Sequence, residues 1–282
     1  MKTVETEIVD MGDSYGVIIP PEFLEVLDLK IGDVVNIELK DGCIFVTPVK
    51  KSKIRQLNLE EIILTLCVER PIFHSEADFQ FALGVMIQKY YPDSKIRFEV
   101  PFYIESRKWY IDILVELEDR KYPIELKYKT KKYDYFSEEE FRLSNHGAGD
   151  FGSYDLLKDV QRIEFLSAKI SDFERGFTIW LTNDQYYWKE PLKSGTGAEA
   201  FRTFEGSKKS GILNWSDAMT NIKGRENPIE LENEYNIKWK QYSALPNKNG
   251  DFRYCLLEVN SKTTEAFSPN FEKPEAPFYV ME

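Results

Sequence analysis

Apolar and polar positions alternate with period two over three consecutive stretches, 96–104, 109–117 and 122–127, which predicts three adjacent strands. Ahead of them, apolar residues recur at helical spacing. Asn58 is a candidate cap for a first helix, with Glu60 and Glu61 in its first turn and Ile62, Ile63 and Leu66 as its stripe, ending before Pro71. Ser75 and Asp78 give a second helix a capping-box-like start, and Phe79, Leu83, Ile87 and Tyr90 follow until Pro92. After the strands comes a polar, glycine-rich loop at 145–152, then a helix over about 154–169 carried by Leu156, Val160 and Ile163. The compact apolar run GFTIWLT at 176–182 predicts a buried strand. The order is α-β-β-β-α-β, an α/β arrangement with a mixed sheet flanked by helices. Beyond residue 183 the period is lost. Residues 192–209 read as loop, and 252–259, behind an Asn249-Gly250 turn, as a late strand.

Residues 1–50 have a different texture. Weak alternation at 3–9 and a short apolar strand at 17–19 lead to Pro20-Pro21, which opens a helical turn. A strand at 34–39 and another at 43–47 flank an Asp41-Gly42 hairpin signal. This small all-β unit is short for an independent core, and dimerisation would supply the missing burial. Residues 51–57 belong to a basic, polar linker, so the expected division is 1–50, linker, and 58–282.

Composition narrows the field. The chain has 282 residues and a net charge of −11, unlike a general nucleic-acid coating protein. No apolar run approaches the roughly 20 residues of a membrane span, and no signal-peptide pattern opens the sequence. Cys43, Cys67 and Cys255 are scattered, which suggests a reducing, cytoplasmic setting without a zinc site or disulfide framework.

The chemistry concentrates in YIDILVELEDRKYPIELKYKTKK, residues 110–132, two strands joined by a tight charged turn. Alternation puts Glu125, Lys127 and Lys129 on one face and Ile124, Leu126 and Tyr128 on the other. Asp112, near the start of the neighbouring strand, can be brought close to Glu125 by the hairpin. Two carboxylates and a main-chain carbonyl suit Mg²⁺ or Mn²⁺, which would lower the pKa of a bound water and stabilise charge on a phosphate. Lys127 would position that water or offset negative charge. Glu76, heading the stripe of Phe79, Leu83 and Ile87, is a candidate fourth member, although acids also favour first helical turns through the dipole. Lys129, Lys131 and Lys132, with Tyr133 and Tyr135, could form a basic-aromatic rim for a phosphate backbone.

The stretch from Glu76 to Thr182 resembles the PD-(D/E)xK, restriction-endonuclease-like nuclease superfamily. Asp112 matches the motif aspartate, Glu125 the second acid, Lys127 the lysine and Glu76 the helix acid, while Ile111 replaces the proline. The resemblance implies Mg²⁺-dependent cleavage of DNA, or sometimes RNA. Gln161-x-x-x-Phe165 is similar to the QxxxY motif of RecB-like members, with Phe for Tyr, which implies a nucleic-acid contact at Gln161. Asp159, Arg162 and Glu164 on the same helix are alternatively read as serving a loop or the sheet edge.

Residues 1–50, through MGDSYGVIIPPEFLEVLDLKIGDVVNIEL and DGCIFVTPVK, resemble the swapped-hairpin AbrB/MazE domain, which dimerises and usually binds DNA. Here four lysines, no arginine and ten acids leave a net of −6, so dimerisation is the expected role. The leading expectation is a homodimeric metal-dependent DNA endonuclease, in host defence or restriction. The alternative is a non-enzymatic AbrB-like regulator or antitoxin-like protein with a degenerate nuclease fold. A third reading is a nuclease held inactive until a partner protein or modified DNA arrives. Tyr186, Tyr187, Trp188, Trp215, Trp239 and Tyr242 are either a recognition surface or core.

Overall fold

The computed structural model describes residues 5–27, 29, 35–40, 42–48, 55–104, 107–216, 222 and 224–260. The chain divides into two compact units, Met1–Arg55 and Gln56–Glu282. In the first, β1 (Ile8–Asp10) pairs antiparallel with β2 (Tyr15–Val17), α1 (Pro21–Val26) follows, and β3 (Val35–Lys40) pairs with β4 (Cys43–Pro48). Proline opens α1, where its missing N–H costs nothing. Among the described residues of this unit none is buried. The parts of the expected elements at 3, 4 and 34 lie outside the described residues.

In the second unit, α2 (Leu59–Glu69) starts where the Asn58 side chain accepts from the Glu61 amide, and it buries Ile62, Ile63 and Leu66. The Ser75 hydroxyl likewise accepts from the Asp78 amide to open α3 (Glu76–Tyr90). Three antiparallel strands follow, β5 (Lys95–Ile104), β6 (Arg107–Leu117) and β7 (Arg120–Lys129). The β6–β7 turn holds Glu118 and Asp119 both at positive φ, the conformation of a two-residue hairpin. A short hairpin, β8 (Tyr133–Phe136) and β9 (Glu140–Leu143), comes before α4 (Gly149–Ser167) and β10 (Arg175–Thr182). A 3₁₀ turn (Glu199–Phe201), the β11 (Lys208–Leu213) and β12 (Ile229–Asn236) pair, β13 (Trp239–Ala244) and β14 (Asp251–Asn260) complete the order.

The main sheet has six strands in the order β13-β14-β10-β7-β6-β5. Only β7 and β10 run parallel, as the α4 crossover between them requires. One face carries a core against α2 and α3 that includes Ile113, Val115, Ile124, Leu126 and Tyr128. The other carries a core against α4 that includes Trp180, Trp239 and Leu257. Burying each such side chain contributes about 1.5–3 kcal/mol. The unit is thus a mixed α/β fold of three layers.

Several expectations are corrected. The loop expected through 152 ends earlier, because α4 begins at Gly149, and a Cβ at Gly152 would collide with the Tyr187 hydroxyl. The loop expected at 192–209 contains the 3₁₀ turn and the start of β11. The aromatic residues of the C-terminal half are core. Tyr187, Trp188, Trp239 and Tyr242 are buried, and Tyr186 and Trp215 pack against them. Cys43, Cys67 and Cys255 are free thiols. Among the described residues no helix is long and apolar enough to cross a membrane.

Candidate active site

The site lies where the β6–β7 ladder stops. Those strands pair from Leu117–Arg120 up to Ile113–Ile124, so Asp112 and Glu125 would form the next pair but do not. On its other side, β6 loses the rung opposite Asp112, where Glu99 adopts a left-handed φ of 52°. A bulky acid held there stores local strain, of the kind found at functional sites. Asp112 is therefore released from both neighbours. Gln80 of α3 donates to its carbonyl at 2.6 Å and to Glu99 Oε1 at 3.0 Å.

The freed edge of β7 leaves amides that need acceptors. Asp112 Oδ2 accepts from Leu126 N at 2.7 Å, and Glu76 Oε2 accepts from Tyr128 N at 2.8 Å. Two carboxylates thus replace a missing strand. Glu125 and Lys127 point to the α4 side while Ile124, Leu126 and Tyr128 enter the opposite core, as their alternation requires.

From α4, Asp159 and Arg162 close over this face. Lys127 Nζ lies 2.9 Å from Asp159 Oδ2 and donates to Leu126 O at 3.1 Å. Arg162 Nη1 lies 3.1 Å from Asp159 Oδ1 and 3.6 Å from Glu125 Oε1. Three acids and two bases therefore meet in a space from which water is largely excluded. Glu125 is only 1% exposed. Burial, then the negative charges of Asp159 and Asp112, push its carboxyl well above the usual range, against Arg162 and Lys127. Burial also raises Asp112, against the pull of Lys127 and the Leu126 amide. For Lys127 burial opposes the charged form, but Asp159, Asp112 and Glu76 outweigh it and raise the ammonium above its ordinary value. The direction of this shift favours the charged form of Lys127.

Asp112, Glu125 and Lys127 come together; the remaining expectations divide. Glu76 uses Oε2 to cap Tyr128 N, and among the described residues no three metal-ligating side chains converge. Gln161 is turned away, donating to Glu230 O and accepting from Lys158, so the expected nucleic-acid contact is instead a tie to β12. Lys131 is paired with Asp184 at 3.0 Å, and Lys132, largely exposed, lies 3.8 Å from Asp134. Lys129 is half-buried beside Glu76 in the wall of a cavity. Glu164 does hold the sheet edge, accepting from the amides of Glu232 and Asn233 and from the Tyr235 hydroxyl.

Asp159 and Arg162, read from sequence as serving a loop or the sheet edge, join this cluster instead. A signal existed: Asp159 falls at the i+3 position of the stripe Leu156, Val160 and Ile163, where an acid must find a buried partner.

A divalent cation fits part of this set. Glu125 Oε1 is buried with no hydrogen-bond donor among the described residues, and so is Thr178 Oγ1 on the register partner of Glu125 in β10. Orphaned buried oxygens beside two carboxylates that favour protons are a place for a cation. Mg²⁺ is commonly held by one or two protein carboxylates plus waters, which matches Asp112 and Glu125 without Glu76.

Residues 11–54 match the family model described as antidote-toxin recognition MazE, bacterial antitoxin. This stretch is a MazE/AbrB-like domain. No curated protein and no solved structure matches the chain.

Proposed function

We infer that the larger unit is a metal-dependent phosphodiesterase of the PD-(D/E)xK kind, a nuclease with DNA as its expected substrate, which acts as a homodimer through the MazE-like domain. The observation that carries this reading is the meeting of Asp112, Glu125 and Lys127 at a broken sheet edge, buried and short of one cation. Asp112 and Glu125 would hold Mg²⁺ or Mn²⁺, which supplies a water of lowered pKa and a positive charge opposite the phosphate. Lys127, held cationic by its acids, offsets the charge that builds on the phosphate oxygens. Asp159 orients the Lys127 ammonium, and Arg162 balances Glu125 before the metal arrives. Glu76 and Gln80 keep the strand edge open. Homodimerisation is supported by the absence of any buried residue among those described in the first unit. The expected setting is cytoplasmic.

The test is plasmid cleavage with Mg²⁺ by wild type, Asp112→Ala and Lys127→Ala. Cleavage by wild type alone is expected. Folded, metal-supplied wild type that cuts neither DNA nor RNA defeats the enzyme reading.

The MazE match favours a second reading, a DNA-binding regulator or antitoxin-like protein whose larger unit does no chemistry. Its mark would be tight, salt-sensitive binding of a defined duplex by Asp112→Ala protein.

A further inference from the structure

Beside the charged cluster, at the C-terminal end of β7, a cavity of about 280 Å³ is lined by His74, Glu76, Lys129, Arg142, Ser144 and His146, among others. A second cavity, of about 650 Å³, lies against the β8–β9 hairpin and includes Lys132, Asp134 and Asn145. The two share Arg142, Leu143 and Ser144, so they meet along β9. The hairpin that walls them stands between β7 and α4 in the chain, and the phosphodiesterase chemistry makes no other use of it.

We propose that these joined cavities seat an unpaired polynucleotide strand leading to Asp112, Glu125 and Lys127, so that the substrate class is single-stranded nucleic acid, or a single-stranded stretch within a longer molecule. The inference rests on the phosphodiesterase reading of that site. Size is the first support. The inner cavity, about 280 Å³, falls just below the roughly 300–1,000 Å³ typical of small-ligand pockets, room for one nucleotide and not for stacked base pairs.

Charge is the second. Duplex binding draws its affinity from many phosphate contacts. Here Arg142 is paired with Glu140 at 2.7 Å, and exposed Lys132 lies 3.8 Å from Asp134, so an acid offsets each charge. Lys129 has no ion pair among the described residues, and the Glu76 carboxylate beside it already accepts from Tyr128 N. One free cation anchors one phosphate; it does not hold a duplex.

The third support is a rigid stacking surface. The His74 ring is stacked on Phe141 at 4.3 Å and 16°, Phe141 abuts Tyr135 at 6.3 Å, and Tyr135 is stacked on Tyr133 at 6.0 Å. Phe141 and Tyr133 are buried, while the His74 side chain is 46% exposed, so a half-open ring rests on a fixed base. A fixed ring next to a free cation is how single-strand grooves hold bases and backbone together. His146 adds polarity. Its Nδ1 accepts from the Thr130 amide at 3.0 Å, which leaves Nε2–H as a donor for a base edge.

The test measures fluorescence anisotropy of full-length protein in EDTA, where nothing is cut. The probes are labelled oligo-dT, oligo-U and a DNA duplex, each roughly 12 nucleotides long, within the usual site size of such grooves. One of the single strands should bind at least about tenfold tighter than the duplex, and the dT-to-U ratio identifies the sugar. His74→Ala and Lys129→Ala should each weaken single-strand binding by roughly five- to tenfold and leave duplex binding unchanged. Ser144→Trp, which fills the junction of the two cavities, should weaken it as well, with folding checked by circular dichroism. Duplex binding equal to or tighter than both single strands, or single-strand binding indifferent to all three folded variants, overturns the proposal. Mg²⁺-dependent plasmid cleavage with that negative result leaves the phosphodiesterase standing without the groove. Groove-dependent binding with no cleavage under any condition leaves the groove standing without the enzyme.

Discussion

The two units solve the burial problem in opposite ways. In the larger one, Ile62, Leu83, Ile113, Ile124 and Ile179 are at most marginally accessible, and the core is sealed by the chain itself. In the smaller one, Ile37, Leu39 and Ile44 are 69%, 78% and 66% exposed. These residues lie in a hairpin of alternating pattern, where an apolar face should be covered. A monomer with such a surface would aggregate or remain marginal. The difference shows where each unit's stability comes from: the larger holds its own, and the smaller needs a second surface. It also separates their chemistry. The larger unit can gather five ionisable groups against one another, because its rigid sheet supports them, while none of the described residues of the smaller unit is shielded from water.

The sharpest way to break the comparison is to remove charges from the cluster. Asp112→Ala and Lys127→Ala should each lower plasmid cleavage by about 10³-fold or more, the usual cost of losing an electrostatic contact to the transition state. Ala substitutions at Glu38 and Glu25, in the smaller unit, should not lower it. Residual cleavage near wild type in both cluster variants would remove the chemical contrast between the units.

Next in size is burial itself. Leu83→Ala should cost about 2–5 kcal/mol in urea unfolding, because a sealed core cannot refill the cavity. Ile37→Asp should barely move that transition, but it should dissociate the protein in sedimentation equilibrium. Association that survives Ile37→Asp would show that the exposed hairpin is not the covered face.

A smaller effect comes from the buried acid. Glu125 holds its proton more tightly in the folded state, so its contribution to stability is complete below the unfolded carboxyl value of 4.5 and is lost as pH rises through the raised folded value. Without metal, the wild type should lose stability as pH rises above about 4.5. Glu125→Gln should flatten that fall and be more stable at neutral pH by on the order of 1 kcal/mol. Mg²⁺ should raise the melting temperature of wild type at neutral pH and leave the variant unmoved. A variant with the same pH slope as wild type would place the titrating group elsewhere.

Much of the larger unit was legible because its elements are periodic and capped. Asn58 and Ser75 mark helix starts that the hydrogen bonds reproduce, and alternation at 122–127 correctly split Glu125 and Lys127 from Ile124 and Leu126. The broken rungs were not legible. Nothing local at Glu99 announces a left-handed residue, and only the fold reveals that Asp112 and Glu76 take over orphaned amides of β7. The hairpin at Tyr133–Phe136 and Glu140–Leu143 was hidden because its strands are only four residues long and are joined by an acidic turn, Ser137–Glu139, with no glycine or asparagine to mark it. Two of the C-terminal strands were hidden: β12 mixes its buried Ile229, Leu231 and Tyr235 with a run of polar residues, and β13 buries Trp239 and Tyr242 in the two different cores, so neither shows a clean alternation.

The smallest expected effect separates motif from mechanism on α4. Gln161 and Arg162 are adjacent, yet they face different neighbours. The first ties α4 to Glu230 O at 3.1 Å, and the second sits between Glu125 and Asp159. Gln161→Ala removes the bond to Glu230 O and the one accepted from Lys158, so it should cost no more than about 1–2 kcal/mol of stability and leave cleavage and nucleic-acid affinity unchanged. Arg162→Met keeps roughly the length of the side chain but leaves Glu125 without its nearest cation and Asp159 with Lys127 alone. It should sharply reduce folded stability at neutral pH and recover part of that loss when Mg²⁺ is added, since a cation at Asp112 and Glu125 replaces the missing positive charge. If Gln161→Ala lowers cleavage as strongly as Arg162→Met, the helix contacts nucleic acid through its glutamine, and the charge network across α4 and β7 loses its claim to be the working part of the helix.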